Sequence, residues 1–122
     1  MEKKENVLKE KSYAFALRIV KAHKYLAKEQ NEYVLSKQLL RAGTAVGALV
    51  REAEYAQSKA DFISKMSIAL KEANETDYWI MLLRDSEYIN LTMSKSLIED
   101  CEELLRLLIS SIKTTKTTNK GQ

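Results

Sequence analysis

The chain has 122 residues, 45% of them hydrophobic and 30% charged, and a formal net charge of +3. This length and composition favour one globular domain with a single core that needs no structural metal or disulfide. The lone cysteine, Cys101, cannot form an internal disulfide, and no apolar run approaches the roughly 18 residues of a membrane span. Secretion and membrane insertion are therefore disfavoured, and a cytoplasmic location is expected.

Apolar side chains recur at helical spacing in four segments, which predicts an all-α fold. Proline is absent, and Gly43 and Gly47 are the two glycines inside the helix-forming sequence. Short connections favour antiparallel neighbours, so we predict an up-down-up-down four-helix bundle in residues 1–113. The predicted helices are 12–28, 33–53, 59–84 and 94–113, and the polar residues 114–122 are expected to form a disordered tail.

The first predicted helix has a basic side, and no Asp or Glu occurs from Lys11 through Lys28. Its cations span about 15 Å at 1.5 Å per residue, a length that can follow several phosphates. Cations of the second helix extend this side, so the candidate nucleic-acid-binding residues are Arg18, Lys21, Lys24, Lys28, Lys37 and Arg41, with Tyr25 among them. The alternative is that these side chains form the solvated face of an amphipathic helix.

The second predicted helix carries a stripe of mostly small residues beside its core face, formed by Ser36, Leu40, Gly43 and Gly47. Each glycine costs about 1 kcal/mol relative to alanine inside a helix, so a compensating contact is expected. Either of two contacts would supply it: close packing of a neighbouring helix in the same subunit, or a tight contact between subunits.

The third predicted helix has the clearest start signal, because Ser58 can cap it and Asp61 follows three residues later. Its C-terminal half is apolar on two sides, and the core of a single bundle covers one of them. The other side predicts an oligomer interface made of Ile68, Trp79, Leu82 and Leu83.

Residue types that carry catalysis or bind metals are scarce. His23 and Cys101 are the only histidine and cysteine, too few for a zinc set, and no glycine-rich phosphate loop follows a strand pattern. Carboxylates cluster on the third and fourth helices, but such runs are typical of solvated faces. We therefore predict that the protein is not an enzyme and has no cofactor or metal.

Two consecutive stretches of the chain carry a family resemblance: residues 39–53, LLRAGTAVGALVREA, and residues 57–73, QSKADFISKMSIALKEA. In this order, and followed by Tyr78, Trp79 and a leucine-rich fourth helix, they resemble the four-helix-bundle proteins encoded within bacterial 23S ribosomal RNA intervening sequences. The resemblance implies a left-handed bundle that assembles as a ring, expected to be a pentamer. A relative, the accessory variability protein of diversity-generating retroelements, binds nucleic acid and a reverse transcriptase, which implies the same two kinds of partner.

Two functions are compatible with these observations. Net charge is +4 in residues 1–31, −5 in residues 32–105 and +4 in residues 106–122, a distribution that suits either a polyanion-binding face or contacts between subunits. The first hypothesis is a non-enzymatic oligomeric scaffold that binds RNA or DNA through its basic surface. The second is a ring-forming protein-interaction module that binds no nucleic acid.

Overall fold

The structure, a computed structural model, describes residues 2–118, and side chains from residue 7 to residue 118. Four helices make up the fold: α1 (Glu2–Glu29), α2 (Leu35–Ala53), α3 (Lys59–Asp85) and α4 (Leu91–Thr117). Each helix packs against the next, and α4 packs back against α1 along a shorter stretch. The links at residues 30–34, 54–58 and 86–90 are short, which makes neighbours antiparallel. The predicted all-α, up-down-up-down four-helix bundle is confirmed.

The core is a continuous cluster of aliphatic side chains with one fully enclosed aromatic ring, Phe15. Each helix contributes the residues of one face, as the 3.6-residue period predicts. The largest members after Phe15 are Leu8, Ile19, Leu26, Leu39, Met66, Ile80, Leu83, Leu97, Leu104 and Leu108. Over residues 2–118, every helix falls short of the length of apolar sequence that a bilayer span requires.

Two helix boundaries differ most from the prediction. Helix α1 begins at Glu2 instead of residue 12, and its added turns bury Leu8 completely. Helix α4 begins at Leu91 and continues to Thr117, so the disorder predicted from residue 114 is wrong for residues 114–117. Thr115 is buried and its hydroxyl donates to the Ser111 carbonyl at 2.8 Å, which ties this turn to the bundle. Thr118 follows as the C-cap of α4, and the remaining residues of the predicted tail, 119–122, lie outside the described residues.

The other helix starts depend on side-chain caps. The Ser58 Oγ accepts a hydrogen bond from the Asp61 amide at 3.0 Å, as predicted for the start of α3. Helix α2 begins two residues later than predicted because the buried Glu32 carboxylate accepts from the free amides of its first turn. The three donors are the amides of Val34 at 3.2 Å, Leu35 at 3.0 Å and Ser36 at 2.7 Å.

The stripe of small residues on α2 packs against α1 of the same chain. A Cβ atom added at Gly43 would lie 2.7 Å from Cγ1 and 2.9 Å from Cγ2 of Ile19, and one added at Gly47 would lie 3.3 Å from the Ser12 carbonyl oxygen. Ser36 is fully buried, and its hydroxyl donates to the Glu32 carbonyl at 2.8 Å. Of the two contacts that the sequence allowed, the structure shows close packing of α2 against α1 within one subunit.

Gly43→Ala is expected to destabilise the protein even though alanine is the better helix former. The helix-propensity gain is about 1 kcal/mol. The added methyl group would displace the fully buried Ile19, and overpacking of a core costs about 1–3 kcal/mol. Urea unfolding of the wild type and the variant measures the net loss.

Ile19→Ala supplies the matched control, because it removes both of the atoms that the new methyl group meets most closely. The double variant should lose less stability than the sum of the two single variants, since the substitutions share one contact. A Gly43→Ala variant more stable than the wild type would contradict the proposed close contact.

Candidate functional site

Four exposed lysines at one end of the bundle form the main part of the predicted basic surface. Lys21, Lys24 and Lys28 lie on the outward side of the second half of α1, and Lys37 lies in the first turn of α2. Among the described residues, none of the four has an ion pair or side-chain hydrogen bond. We refer to these four residues as the lysine surface.

The two predicted arginines face neighbouring helices and are paired with carboxylates. Arg18 Nη1 lies 2.7 Å from Asp100 Oδ2 on α4 and also donates to the Ser96 carbonyl at 3.4 Å. Arg41 bridges Glu72 and Glu75 on α3, with 3.2 Å between its Nη1 and Glu72 Oε1. A phosphate would compete with these carboxylates for both guanidinium groups. Because both are paired, Arg18 and Arg41 are not part of the lysine surface.

The amino terminus of α2 lies at the same end of the bundle but is already occupied. Helix amino termini attract anions because their first amides are unpaired and the helix dipole is positive there. Here the Glu32 carboxylate accepts three of those hydrogen bonds and is itself 8% exposed. An external phosphate therefore meets the lysine side chains and not the helix amides.

Two tyrosines accompany the lysine surface. Tyr25 lies between Lys21 and Lys28 on α1, 37% exposed, and its phenol oxygen accepts a hydrogen bond from Gln30 Nε2 at 2.8 Å. Tyr33, in the link between α1 and α2, is 53% exposed and donates to Asn31 Oδ1 at 3.2 Å. Sequence reasoning named Tyr25 and missed Tyr33, although its place between two cationic helices was a usable signal.

The predicted oligomer interface is partly exposed and partly core. Ile68 is 41% exposed, whereas Trp79 and Leu82 are half-buried and Trp79 donates from Nε1 to Glu75 Oε2 at 2.9 Å. The prediction is wrong for Leu83, because this side chain is fully buried in the bundle's own core and has no surface for a partner. Tyr78 and Met81, which the prediction did not include, are exposed on the same helix.

The single histidine and the single cysteine are both engaged in packing. His23 Nδ1 lies 3.3 Å from the Ser36 carbonyl oxygen, where α1 meets α2. The Cys101 thiol donates to the Ala73 carbonyl at 3.1 Å, and burial, followed by the charge of Asp77, raises its pKa to about 12. This thiol stays protonated at neutral pH and is a poor nucleophile. Among the described residues, no three His, Cys, Asp or Glu side chains form a group that could hold a metal ion.

Comparison with known proteins gives the family. A family model described as "23S rRNA-intervening sequence protein" matches residues 4–110. The chain belongs to this family. It is also similar to a protein of unknown function from the S23 ribosomal protein family of Bacteroides thetaiotaomicron VPI-5482, whose crystal structure was determined at 1.70 Å resolution. The two share 57% sequence identity over 90% of this chain and 98% of the other, with a TM-score of 0.89. No curated protein matched.

Asp77, on α3 beside Cys101, is the described carboxylate whose ionised form the fold disfavours most. Its Oδ1 atom is buried without a hydrogen-bond partner among them. Burial raises the pKa of Asp77, and the charge of Glu102 raises it further, while Arg84 opposes the shift. The folded protein therefore holds a proton on Asp77 more tightly than the unfolded chain does, and ionisation of Asp77 costs stability.

Asp77→Asn is expected to raise the melting temperature at pH 7, because it removes a poorly solvated charge. The advantage should shrink as the pH falls through the raised pKa of Asp77 and vanish below 3.8, the ordinary pKa, where the wild-type carboxyl is protonated in both states. Thermal unfolding of both proteins between pH 7 and pH 3 checks this. Asp85→Asn is the control, and it should lower the melting temperature at pH 7, because a hydrogen bond from Arg84 favours the ionised form and lowers the pKa of Asp85. Equal melting temperatures of Asp77→Asn and wild type at pH 7 would contradict the assignment.

Proposed function

We propose that this member of the family is a non-enzymatic oligomeric scaffold that binds the phosphates of RNA or DNA through the lysine surface. The observation that carries the proposal is the set of four exposed lysines that have no carboxylate partner among the described residues. Arg18 and Arg41, the other two cations of the predicted basic surface, are paired with carboxylates. Unpaired lysines bind phosphates by releasing counterions, which makes the affinity strongly dependent on salt.

The proposed binding surface contains fewer residues than the basic surface predicted from the sequence, because it leaves out Arg18 and Arg41. Arg18 and Arg41 would have to break ion pairs before they could contact a phosphate, whereas the lysine surface is available without rearrangement. Four neutralised phosphates predict that affinity falls roughly 10²-fold between 50 and 200 mM salt. If the arginines also took part, the fall would be steeper.

Reversal of Lys21, Lys24 and Lys28 to glutamate is expected to weaken nucleic-acid binding by about 100-fold or more, because three phosphate contacts become repulsive. Fluorescence anisotropy of a labelled RNA hairpin and a DNA duplex, titrated at 50 and 200 mM salt, measures the affinity. The matched control reverses Lys71, Lys95 and Lys113, which are exposed on α3 and α4 and change the net charge equally. Equal losses in both triple variants would mean that net charge, and not the lysine surface, governs binding.

Self-association is the second part of the proposal. Ile68 is exposed on α3, and the half-buried Trp79 and Leu82 lie on the same face of the helix, beyond the paired Glu72 and Glu75. A symmetric assembly would cover this face, and the resemblance noted above favours a pentameric ring with a reverse transcriptase as a further partner.

Ile68→Asp is expected to dissociate the oligomer, because it places a charge within the proposed contact. Light scattering after size exclusion should give a multiple of 14.0 kDa for the wild type and 14.0 kDa for the variant. Tyr55→Asp is the control, since Tyr55 is 79% exposed in the link between α2 and α3. A wild-type mass of 14.0 kDa would remove self-association from the proposal.

The alternative function is a ring-forming protein-interaction module without nucleic-acid binding. The exposed Ile68, Tyr78 and Met81 on α3 favour it, because apolar side chains on one exposed helix suit a protein contact. Under this alternative, the lysine reversal changes assembly or capture of a protein partner, and no probe binds at 50 mM salt.

A further inference from the structure

An aromatic ring lies in line with two unpaired lysines. Lys21, Tyr25 and Lys28 occupy positions i, i+4 and i+7 of α1, so they follow one another along a single face of the helix. The hydrogen bond from Gln30 to the Tyr25 phenol oxygen restrains the ring. The face therefore offers positive charge on both sides of a flat apolar surface.

Tyr25 also lines an open cleft at this end of the bundle. The cleft has a volume of about 610 Å³ and lies between the end of α1 and the link that joins α3 to α4. Both apolar and polar side chains line it, including Gln30, Tyr88, Asn90 and Leu91. A volume of this size accommodates a planar heterocycle against the Tyr25 ring.

The charges of the cleft argue against a phosphate inside it. Arg84 Nε lies 2.8 Å from Asp85 Oδ1, and the same pair makes a second contact of 3.2 Å. The exposed Glu87 adds a negative charge that no described cation pairs with. The cleft therefore repels phosphate, while its carboxylates can accept hydrogen bonds from the amino groups of a base.

We infer that the lysine surface binds single-stranded nucleic acid, with phosphates on Lys21 and Lys28 and an unpaired base in the cleft against Tyr25. The inference rests on the proposed function and adds the class of nucleic acid. A duplex hides the faces of its bases, so only an unpaired strand can stack a base on an aromatic side chain. Base stacking tolerates any sequence, because every base has an aromatic face.

Three labelled probes of equal length test the inference: a single-stranded RNA 12-mer without self-complementarity, its duplex, and a 12-unit strand that carries ribose and phosphate without bases. The wild type should bind the single strand about tenfold or more tightly than the baseless strand, although the two carry the same charge. Tyr25→Leu should lose about tenfold in affinity for the single strand and nothing for the baseless strand, since stacking on one aromatic side chain is worth about 5- to 150-fold.

Tyr25→Phe is the matched control, because it keeps the ring and removes only the hydroxyl that accepts from Gln30. It should bind the single strand nearly as tightly as the wild type. Circular dichroism establishes that both variants are folded, and the wild-type comparison of the two single strands tests stacking even if Tyr25→Leu fails to fold.

The outcomes separate this inference from the proposed function. Equal wild-type affinity for the single strand and the baseless strand, or an unchanged affinity of folded Tyr25→Leu, would overturn the inference. The proposed function would survive that result if the triple lysine reversal still abolished binding. Failure of all three probes to bind at 50 mM salt would overturn both.

Discussion

The close approach of α1 to α2 is the constraint on which the rest of this bundle depends. Gly43 leaves room for Ile19. A Cβ atom at Gly43 would lie 2.7 Å from Ile19 Cγ1 and would force this fully buried side chain to move. With α1 held at this distance, Ile19 and its neighbours face the core, Arg18 faces α4, and Lys21 and Lys24 face outward. The glycine thus determines indirectly which cations of α1 find carboxylates.

Ion pairs between helices divide the basic residues of the first helix into two groups. Lys9, Lys11 and Arg18 pair with Glu54, Glu103 and Asp100, carboxylates that come from the acidic middle of the sequence. Exposed pairs of this kind contribute only about 0–1 kcal/mol each to stability. Their larger consequence is for binding, because they occupy the described cations of the first half of α1 and Arg18, while the lysines of its second half have no carboxylate partner among the described residues. The uneven charge of the sequence is therefore partly neutralised within the fold and partly concentrated at one end.

Local patterns predicted the parts of the fold that local physics decides. The 3.6-residue period identified four helices, and Ser58 marked the start of α3, because both depend on neighbours in the sequence. The start of α1 was missed since residues 2–11 are mostly charged, although Glu and Lys are good helix formers and Leu8 extends the core face. Leu83 was misplaced because α3 is apolar over a wide arc, and periodicity alone does not say which edge the core covers. The pairing of Arg18 joins residues 82 positions apart, so no local pattern could reveal it.

The two parts of the proposed function depend on each other through the number of phosphate contacts. Four lysines on one subunit give a modest electrostatic affinity, because each contributes a single contact and salt screens all of them. A symmetric assembly would present the same four lysines several times, and a strand held by one subunit would meet the next at high effective concentration. Tight binding by this small surface therefore requires assembly, whereas assembly does not require binding. Under the proposed function, a monomeric form of this protein would accordingly be a weak nucleic-acid binder even with its lysine surface intact.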